Sequence, residues 1–373
     1  MSALEFFVIY KAVSSIAIRS LRRFVRFLYH DLRVFKAWSD RRFSARSSIT
    51  EYHVGEKKNA GEVYAIYLIW QPAGFPWYVK NTLSALNDLG INVIAVVNHP
   101  LNDEQLSELR RHCAHLLIRD NAGFDMGGYR DATLFIRETL KPSRVCYLND
   151  SVYCFREGLI DLFRKLANSA ADIAAPFENH EYSYHIQSFC FSVSGRIFLS
   201  EEFKTFWQNY LPVDSRVWAI DKGEKGLSNA IVPIAERIDV FYTPDHLRPF
   251  LLDLPLDELQ RLNRYFPRLV RHKEGELQKL SKSQLVTELC RLVAIRSQIH
   301  TGAFLYQRFM GCPMMKRDLY YRLQFSLDEI EENLREVREN DDHFGDILAD
   351  MQKKGTGRDL SYWNMAKFAE GLL

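Results

Sequence analysis

Three short stretches of this chain gather side chains able to do chemistry. The first, Arg119-Asp120-Asn121-Ala122-Gly123-Phe124-Asp125-Met126-Gly127-Gly128-Tyr129-Arg130, follows an apolar run and leads into a helical period. Glycines let a backbone come close to a ligand, and a starting helix offers unpaired N–H groups to an anion. The stretch therefore suits a diphosphate, and it equally suits a tight strand-to-helix turn. Its spacing is not GxGxxG, so it is no dinucleotide fingerprint. The second, Tyr147-Leu148-Asn149-Asp150-Ser151-Val152-Tyr153, sets one carboxylate between two small oxygen-bearing side chains at the end of an apolar run. Such a group can reach a hydrated divalent cation that bridges phosphates, or can cap a turn. The third, His180-Glu181-Tyr182-Ser183-Tyr184-His185-Ile186-Gln187-Ser188, is followed downstream by Asp221-Lys222-Gly223-Glu224. Its imidazoles and carboxylates can handle a proton, bind hydroxyls or simply be solvated.

Positioning such groups requires elements at regular spacing, and the hydrophobic pattern supplies them. Val63 to Trp70, Ile91 to Val97, Leu116 to Ile118, Val145 to Leu148, Ile173 to Pro176 and Ser188 to Val193 are short apolar runs that predict strands. Helical periods lie between or after them at Trp77 to Leu89, Leu106 to Cys113, Gly128 to Leu140, Gly158 to Ala167 and Glu201 to Tyr210. Strand and helix in alternation predict an α/β domain over 60–250 with a mostly parallel sheet, whose ligands sit at the carboxyl ends of the strands. All three chemical stretches follow such strands. Beyond residue 250 the pattern turns helical, at Leu256 to Tyr265, Lys282 to Ser297 and Ser326 to Asn340. The last of these opens on a Ser326-x-x-Glu329 capping box, and its Leu327, Ile330, Leu334 and Val337 are expected inside. Phe304, Tyr306, Met314 and Met315 read as core.

Charge and composition narrow the function. Across 373 residues, 49 Lys and Arg against 47 Asp and Glu leave +2, which argues against a nucleic-acid coat. The first fifty residues hold ten Lys and Arg against three Asp and Glu, a net of +7, so the rest of the chain sums to −5. On a helical wheel from Ser15 to Phe35, Arg19, Arg22, Arg23, Arg26, His30 and Arg33 share one arc, opposite Leu21, Phe24, Val25, Leu28, Leu32 and Phe35. Residues 1–50 thus form a basic amphipathic segment of the kind that lies on an anionic membrane surface, and residues 37–60 read as a linker. Neither a spanning helix nor a cleavable leader is expected at the start MSALEFF. Six separated cysteines, with no CxxC, fit a reducing cytoplasm and no zinc.

Taken in order, R-x-N-x-G-x-D-x-G-x-Y, then Y-L-N-D-S-V-Y, then H-x-Q-S before an aromatic strand resembles the rhamnan synthesis protein F family of bacterial polysaccharide glycosyltransferases, with a weaker echo at Cys312-Pro313-Met314-Met315-Lys316-Arg317-Asp318-Leu319. The resemblance implies a GT-A-like, Rossmann-type nucleotide-sugar-binding domain over 60–250, with a helical region at 251–373. It implies an inverting hexosyltransferase that moves rhamnose or another hexose to a lipid-linked surface polysaccharide such as O-antigen, working peripherally on the inner face of the cell membrane. Donor-binding positions carried over are Arg119, Asn121, Gly123, Asp125, Gly127, Gly128, Tyr129, Asn149, Asp150, Ser151 and Gln187. The D-x-D of many relatives falls on Asn149-Asp150-Ser151, so only Asp150 is left to hold Mg²⁺ or Mn²⁺, and weakly. Glu224 inherits the catalytic base, with Asp221, Glu178 and His185 as competitors, and His185 is suited to a sugar hydroxyl. With the outer aspartates missing, a catalytically silent scaffold that recruits synthesis enzymes to the membrane is the alternative.

Overall fold

The computed structural model describes residues 23–43, 48–273, 275–338 and 341–369. Twelve strands occur among them: β1 Ile49–Val54, β2 Val63–Ile69, β3 Asn92–Val97, β4 His115–Arg119, β5 Arg144–Asn149, β6 Val152–Cys154, β7 Ile173–Ala175, β8 Glu178–Asn179, β9 His185–Ile186, β10 Cys190–Ser194, β11 Ile238–Val240 and β12 Met314–Lys316. Eight of them build one sheet in the order β1-β4-β3-β2-β5-β10-β7-β11. The continuous apolar runs β2, β3, β4 and β5 pair in parallel at its centre, as expected of strands covered on both faces. β10 runs antiparallel to both β5 and β7, and β11 pairs parallel with β7.

Alternation along β2 shows how the faces are shared. Ala65, Tyr67 and Ile69 enter one core, while Ile66 and Leu68 enter the other. The second core is closed by helices Phe124–Arg137, Glu201–Asn209 and Lys225–Ile231, through Met126, Tyr129, Phe203, Trp207 and Leu227. The first core continues without a break into the C-terminal helices through Leu285, Leu289, Phe304, Tyr306, Met314 and Met315, so the helical region packs on one face of the sheet. Its helix Leu327–Val337 opens on the expected box, with Ser326 accepting from the Glu329 N–H, and it buries Ile330 and Leu334 with Leu327 and Val337 packed alongside. One C-terminal segment reaches furthest: β12 pairs antiparallel with β6, setting Lys316 opposite Val152.

Two expectations change here. The stretch read as a linker, 37–60, holds the end of helix Leu32–Phe43 and then β1, which pairs antiparallel with β4 at the sheet edge. Its residues ITEYHV are mostly exposed, so no apolar run announced the strand. The N-terminal helix expected from the sequence lies partly outside the described residues, as do Arg19, Leu21 and Arg22. From Arg23 onward it is helical, with a π-helical turn at Phe27–Asp31. Its Arg and His side chains do not all face outward. His30 Nδ1 lies 2.8 Å from Ser215 Oγ, Arg33 donates to the Asp214 carbonyl, and Arg41 donates to the carbonyls of Gln208 and Asn209. Val25 is buried, whereas Phe24, Phe27, Leu32, Phe35 and Trp38 are exposed. None of the described helices is long and apolar enough to cross a membrane.

Candidate active site

The strands β2, β3, β4 and β5 end on the same edge of the sheet, and the first two chemical stretches leave from there. In the loop after β4, the glycines are explained by protein rather than by a ligand. Gly123 has φ +74°, and a Cβ on it would lie 2.6 Å from Pro212 Cβ. A Cβ on Gly127 would meet the Ala122 carbonyl oxygen at 2.0 Å, and one on Gly128 would meet Leu68 Cδ1 at 2.0 Å. The loop is thus a strand-to-helix turn packed too tightly for side chains.

Arg119, expected beside the diphosphate, is turned inward. Its side chain is fully buried and donates to Asp131 Oδ2 at 2.9 Å, Asn98 Oδ1 at 3.0 Å and the Ala122 carbonyl at 2.8 Å. Asp131 also receives Arg130 and Ser48. Burial lowers the Arg119 pKa from its ordinary value, and the charge and hydrogen bond of Asp131 work against that. Tyr129 is likewise a core residue, edge-on to Tyr147 and Phe191. Asn121 stays at the surface and accepts from Asn98 Nδ2 at 3.2 Å.

Asp125, Asn149 and Ser151 come together. Asn149 Nδ2 donates to Asp125 Oδ2 at 2.9 Å, and Ser151 donates to Asn149 Oδ1 through its hydroxyl at 2.6 Å and its N–H at 3.1 Å. Burial raises the Asp125 pKa, and the nearby Glu224 charge adds to the rise. Asp150 points the other way. Its Oδ2 accepts from the Trp70 N–H at 2.9 Å and from Gln71 Nε2 at 2.7 Å, so it ties the end of β5 to the end of β2.

On the far side of this group, β8 pairs with β9 and brings His185 to Glu224, at 3.2 Å between Nε2 and Oε1. Glu224 closes a π-helical turn, Ala219–Glu224, one of the wide turns that often mark functional sites. Its Oε2 accepts from the Ser188 N–H and hydroxyl, each at 2.7 Å. Burial disfavours both charges, but each partner favours the other, so the His185 pKa rises and the Glu224 pKa falls. Glu224 is held as a carboxylate with spare lone-pair capacity on Oε1. Gln187 lies behind this pair and donates to Ser297 Oγ at 2.7 Å. Of the competing bases, Asp221 is paired with Lys222 and Lys225, and Glu178 with His180.

Three cations complete the group, and none was singled out from the sequence as a functional residue. Lys316 Nζ donates to Ser151 Oγ at 2.9 Å and lies 4.2 Å from the centre of the Phe189 ring. Arg216 feels the charges of Arg322, Asp318, Glu224 and Asp125. Arg322 pairs with Asp318, which also takes His300. Trp70, at the end of β2 beside Asp150, is half-exposed, and its place in an apolar run marks it only as a strand residue. Pattern alone flags Lys316 weakly, through the Lys316-Arg317-Asp318 run.

A divalent cation was expected on Asp150. Six oxygen ligands around a small cation call for carboxylates with free lone pairs facing one point. Here Asp150 is engaged by β2, the Asp125 oxygens take Asn149 and the Met126 N–H, and an ammonium already sits on Ser151. No three His, Cys, Asp or Glu among the described residues are grouped to hold a metal. These residues do not fit a resident cation.

Comparison with known proteins adds the following. The protein y4gN of Sinorhizobium fredii is 29% identical over 174 residues, which is 45% of this chain and 44% of that protein, so the chain spans less than half the length of the curated relative it matches. Among solved structures, S. aureus TarS 1–349 in complex with UDP-GlcNAc aligns with TM-score 0.34 and 10% identity, over 83% of this chain and 92% of that one. Mannosyltransferase PcManGT of Pyrobaculum calidifontis, in complex with GDP-Man and Mn²⁺, aligns with TM-score 0.31 and 10% identity, over 74% and 81%. The sequence model of the rhamnan synthesis protein F family matches residues 93–247, the stretch from β3 through the glycine loop, Asn149-Asp150-Ser151, His185 and Glu224 into the helix after β11, and over those residues the family resemblance read from the motifs is shown.

Proposed function

We propose that this chain is a glycosyltransferase that moves a sugar, rhamnose or another hexose, from a nucleotide-sugar to a lipid-linked bacterial surface polysaccharide, with inversion at the anomeric carbon. The observation that carries the reading is the convergence of the Asp125–Asn149–Ser151 chain and the His185–Glu224 pair at the carboxyl edge of the sheet, within the matched family stretch.

In the proposed step the acceptor hydroxyl gives its proton to Glu224 Oε1 while its oxygen attacks the anomeric carbon. The bond from that carbon to the diphosphate oxygen breaks, and its electron pair leaves with the nucleoside diphosphate. His185 keeps Glu224 ionised before the step and turned toward the group. The Asp125 carboxylate suits a sugar hydroxyl, Gln187 backs the His185–Glu224 pair through Ser297, and Trp70 offers a ring face to the nucleobase. The test is a panel of UDP-, dTDP- and GDP-sugars, followed by mass spectrometry and nucleotide release. One donor should be consumed, and Glu224→Gln should bind it normally yet turn it over about 10²–10⁴-fold more slowly. No binding by any nucleotide-sugar would leave the silent scaffold as the reading.

The work site in this reading is an anionic membrane surface on the cytoplasmic side. The support is the exposed row Phe24, Phe27, Leu32, Phe35 and Trp38, flanked by exposed Arg23, Arg26 and Lys36, on a helix whose opposite side is fastened to residues 208–215. Aromatic rings enter the boundary between headgroups and acyl chains while cations meet the anionic headgroups. Changing Phe27, Phe35 and Trp38 to Ser should abolish flotation with anionic liposomes and leave the thermal melt unchanged. Flotation equal to wild type would make the helix a purely structural strap.

A further inference from the structure

We propose that the Lys316 ammonium and the Arg216 guanidinium together take the place of a divalent cation on the donor's diphosphate, so that donor binding and transfer need no metal. This rests on the glycosyltransferase reading and adds two residues to its site, one of them, Lys316, outside the stretch matched by the family.

Geometry puts Lys316 where a metal would be expected. The pairing of β12 with β6 fixes it beside Val152, and its Nζ bonds to the hydroxyl of the third residue of Asn149-Asp150-Ser151. An ammonium has three N–H donors, and Ser151 uses one. Phe189 lies under the cation at 4.2 Å, a contact that holds its position and leaves its remaining donors open. Burial lowers the Lys316 pKa from its ordinary value, and the charges of Asp318, Glu224 and Asp125 work against that.

Arg216 supplies the second observation. A guanidinium carries five donors and is normally paired when buried. This one is only partly exposed and makes no hydrogen bond or ion pair among the described residues, although Glu224, Asp125 and Asp318 lie near enough to influence it. Its neighbours on the chain explain the placement: Ser215 and Asp214 bind the N-terminal helix, and the π-helical turn to Glu224 begins three residues later. An uncommitted planar fork whose charge acts on the Lys316 ammonium suits two adjacent phosphates. During transfer the oxygen that leaves the anomeric carbon takes the electron pair and a negative charge, and fixed cations at that point stabilise it without being recruited from solution.

The test is calorimetry of UDP, dTDP and GDP against the full chain, in EDTA and in millimolar Mg²⁺ or Mn²⁺, for wild type, Lys316→Gln, Lys316→Arg and Arg216→Gln. The nucleotide that binds should do so equally in EDTA, and each Gln variant should weaken it by about tenfold, as expected for loss of one charge-assisted hydrogen bond. Lys316→Arg should retain most of the affinity. Donor turnover in EDTA should equal that with metal. Affinity that collapses in EDTA and returns with Mn²⁺, or Gln variants that bind like wild type, would overturn the proposal while leaving the glycosyltransferase reading intact. Should Lys316→Gln fail to fold by thermal melt, Arg216→Gln and the chelator arm decide. No binding of any nucleoside diphosphate in any buffer would remove the glycosyltransferase reading and this proposal with it.

Discussion

Arg119 and Arg216 are two arginines near one edge of one sheet, and their surroundings could hardly differ more. Arg119 has a fully buried side chain that spends its donors on Asp131, Asn98 and a carbonyl, whereas Arg216 has no partner among the described residues. Motif reading selects the first and passes over the second. The lesson is that residue type marks who could meet an anion, and the accounting of donors marks who is still free to do so. The glycines around Arg119 teach the same: their empty side-chain positions are filled by Pro212, Ala122 and Leu68.

That contrast can be broken most severely at Arg119. Arg119→Met strips Asp131 of one of two arginines in a buried site, and the expected cost is about 3–5 kcal/mol of unfolding free energy. Gly128→Val, which pushes a side chain into Leu68, should cost about 1–3 kcal/mol. Urea unfolding measures both, and the fraction that remains folded should bind nucleoside diphosphate normally. Stability unchanged in Arg119→Met together with lost binding would reverse the roles assigned to the two arginines.

A smaller effect sharpens the comparison from the side of Glu224. His185 has a pKa raised above its ordinary 6.5, so its contribution to stability is fully present below that pH and is lost as pH rises through the higher folded value. Glu224 has a pKa lowered below its ordinary 4.5, so its contribution is present above that pH and is lost as pH falls through the lower folded value. The pair therefore stabilises most between these limits. His185→Gln should flatten the decline in melting temperature above about pH 6.5. A decline as steep in the variant as in wild type would assign it to other groups.

Much of the fold was legible because buried parallel strands are continuous apolar runs: VYAIYLI and NVIAVV appear where they were expected. β1 was not legible, since an exposed edge strand has no such run. At the candidate site, Asn149, Ser151 and His185 lie in short polar motifs after strands, whereas Glu224 ends a π-helical turn that follows helices and is reached only through the family resemblance. The role of Lys316 was not legible, since Met314 and Met315 before it are core residues and the lysine meets Ser151 across 165 positions of sequence. Burial direction was the other blind spot, as Arg119, Tyr129 and Asp150 carry site-like chemistry but face inward or toward β2.

The turn between Trp218 and Lys225 has a consequence of its own. A π-helical turn contains one more residue than an α-helical turn, and here it separates Arg216 from Glu224. Deleting a single residue from 219–223 would let the segment close as ordinary α-helix while the residues on either side kept nearly their present rotation, because the extra residue of a π-helical turn is taken up by the wider turn. Arg216 and Glu224 would keep nearly their present directions, and what would be lost is the widened backbone where Gly223 packs against Met126. An extra residue can thus be gained or lost in that turn with the motifs and their facing intact, so variants of this chain differing by one position there would differ in the backbone beside Met126 rather than in the direction of Glu224.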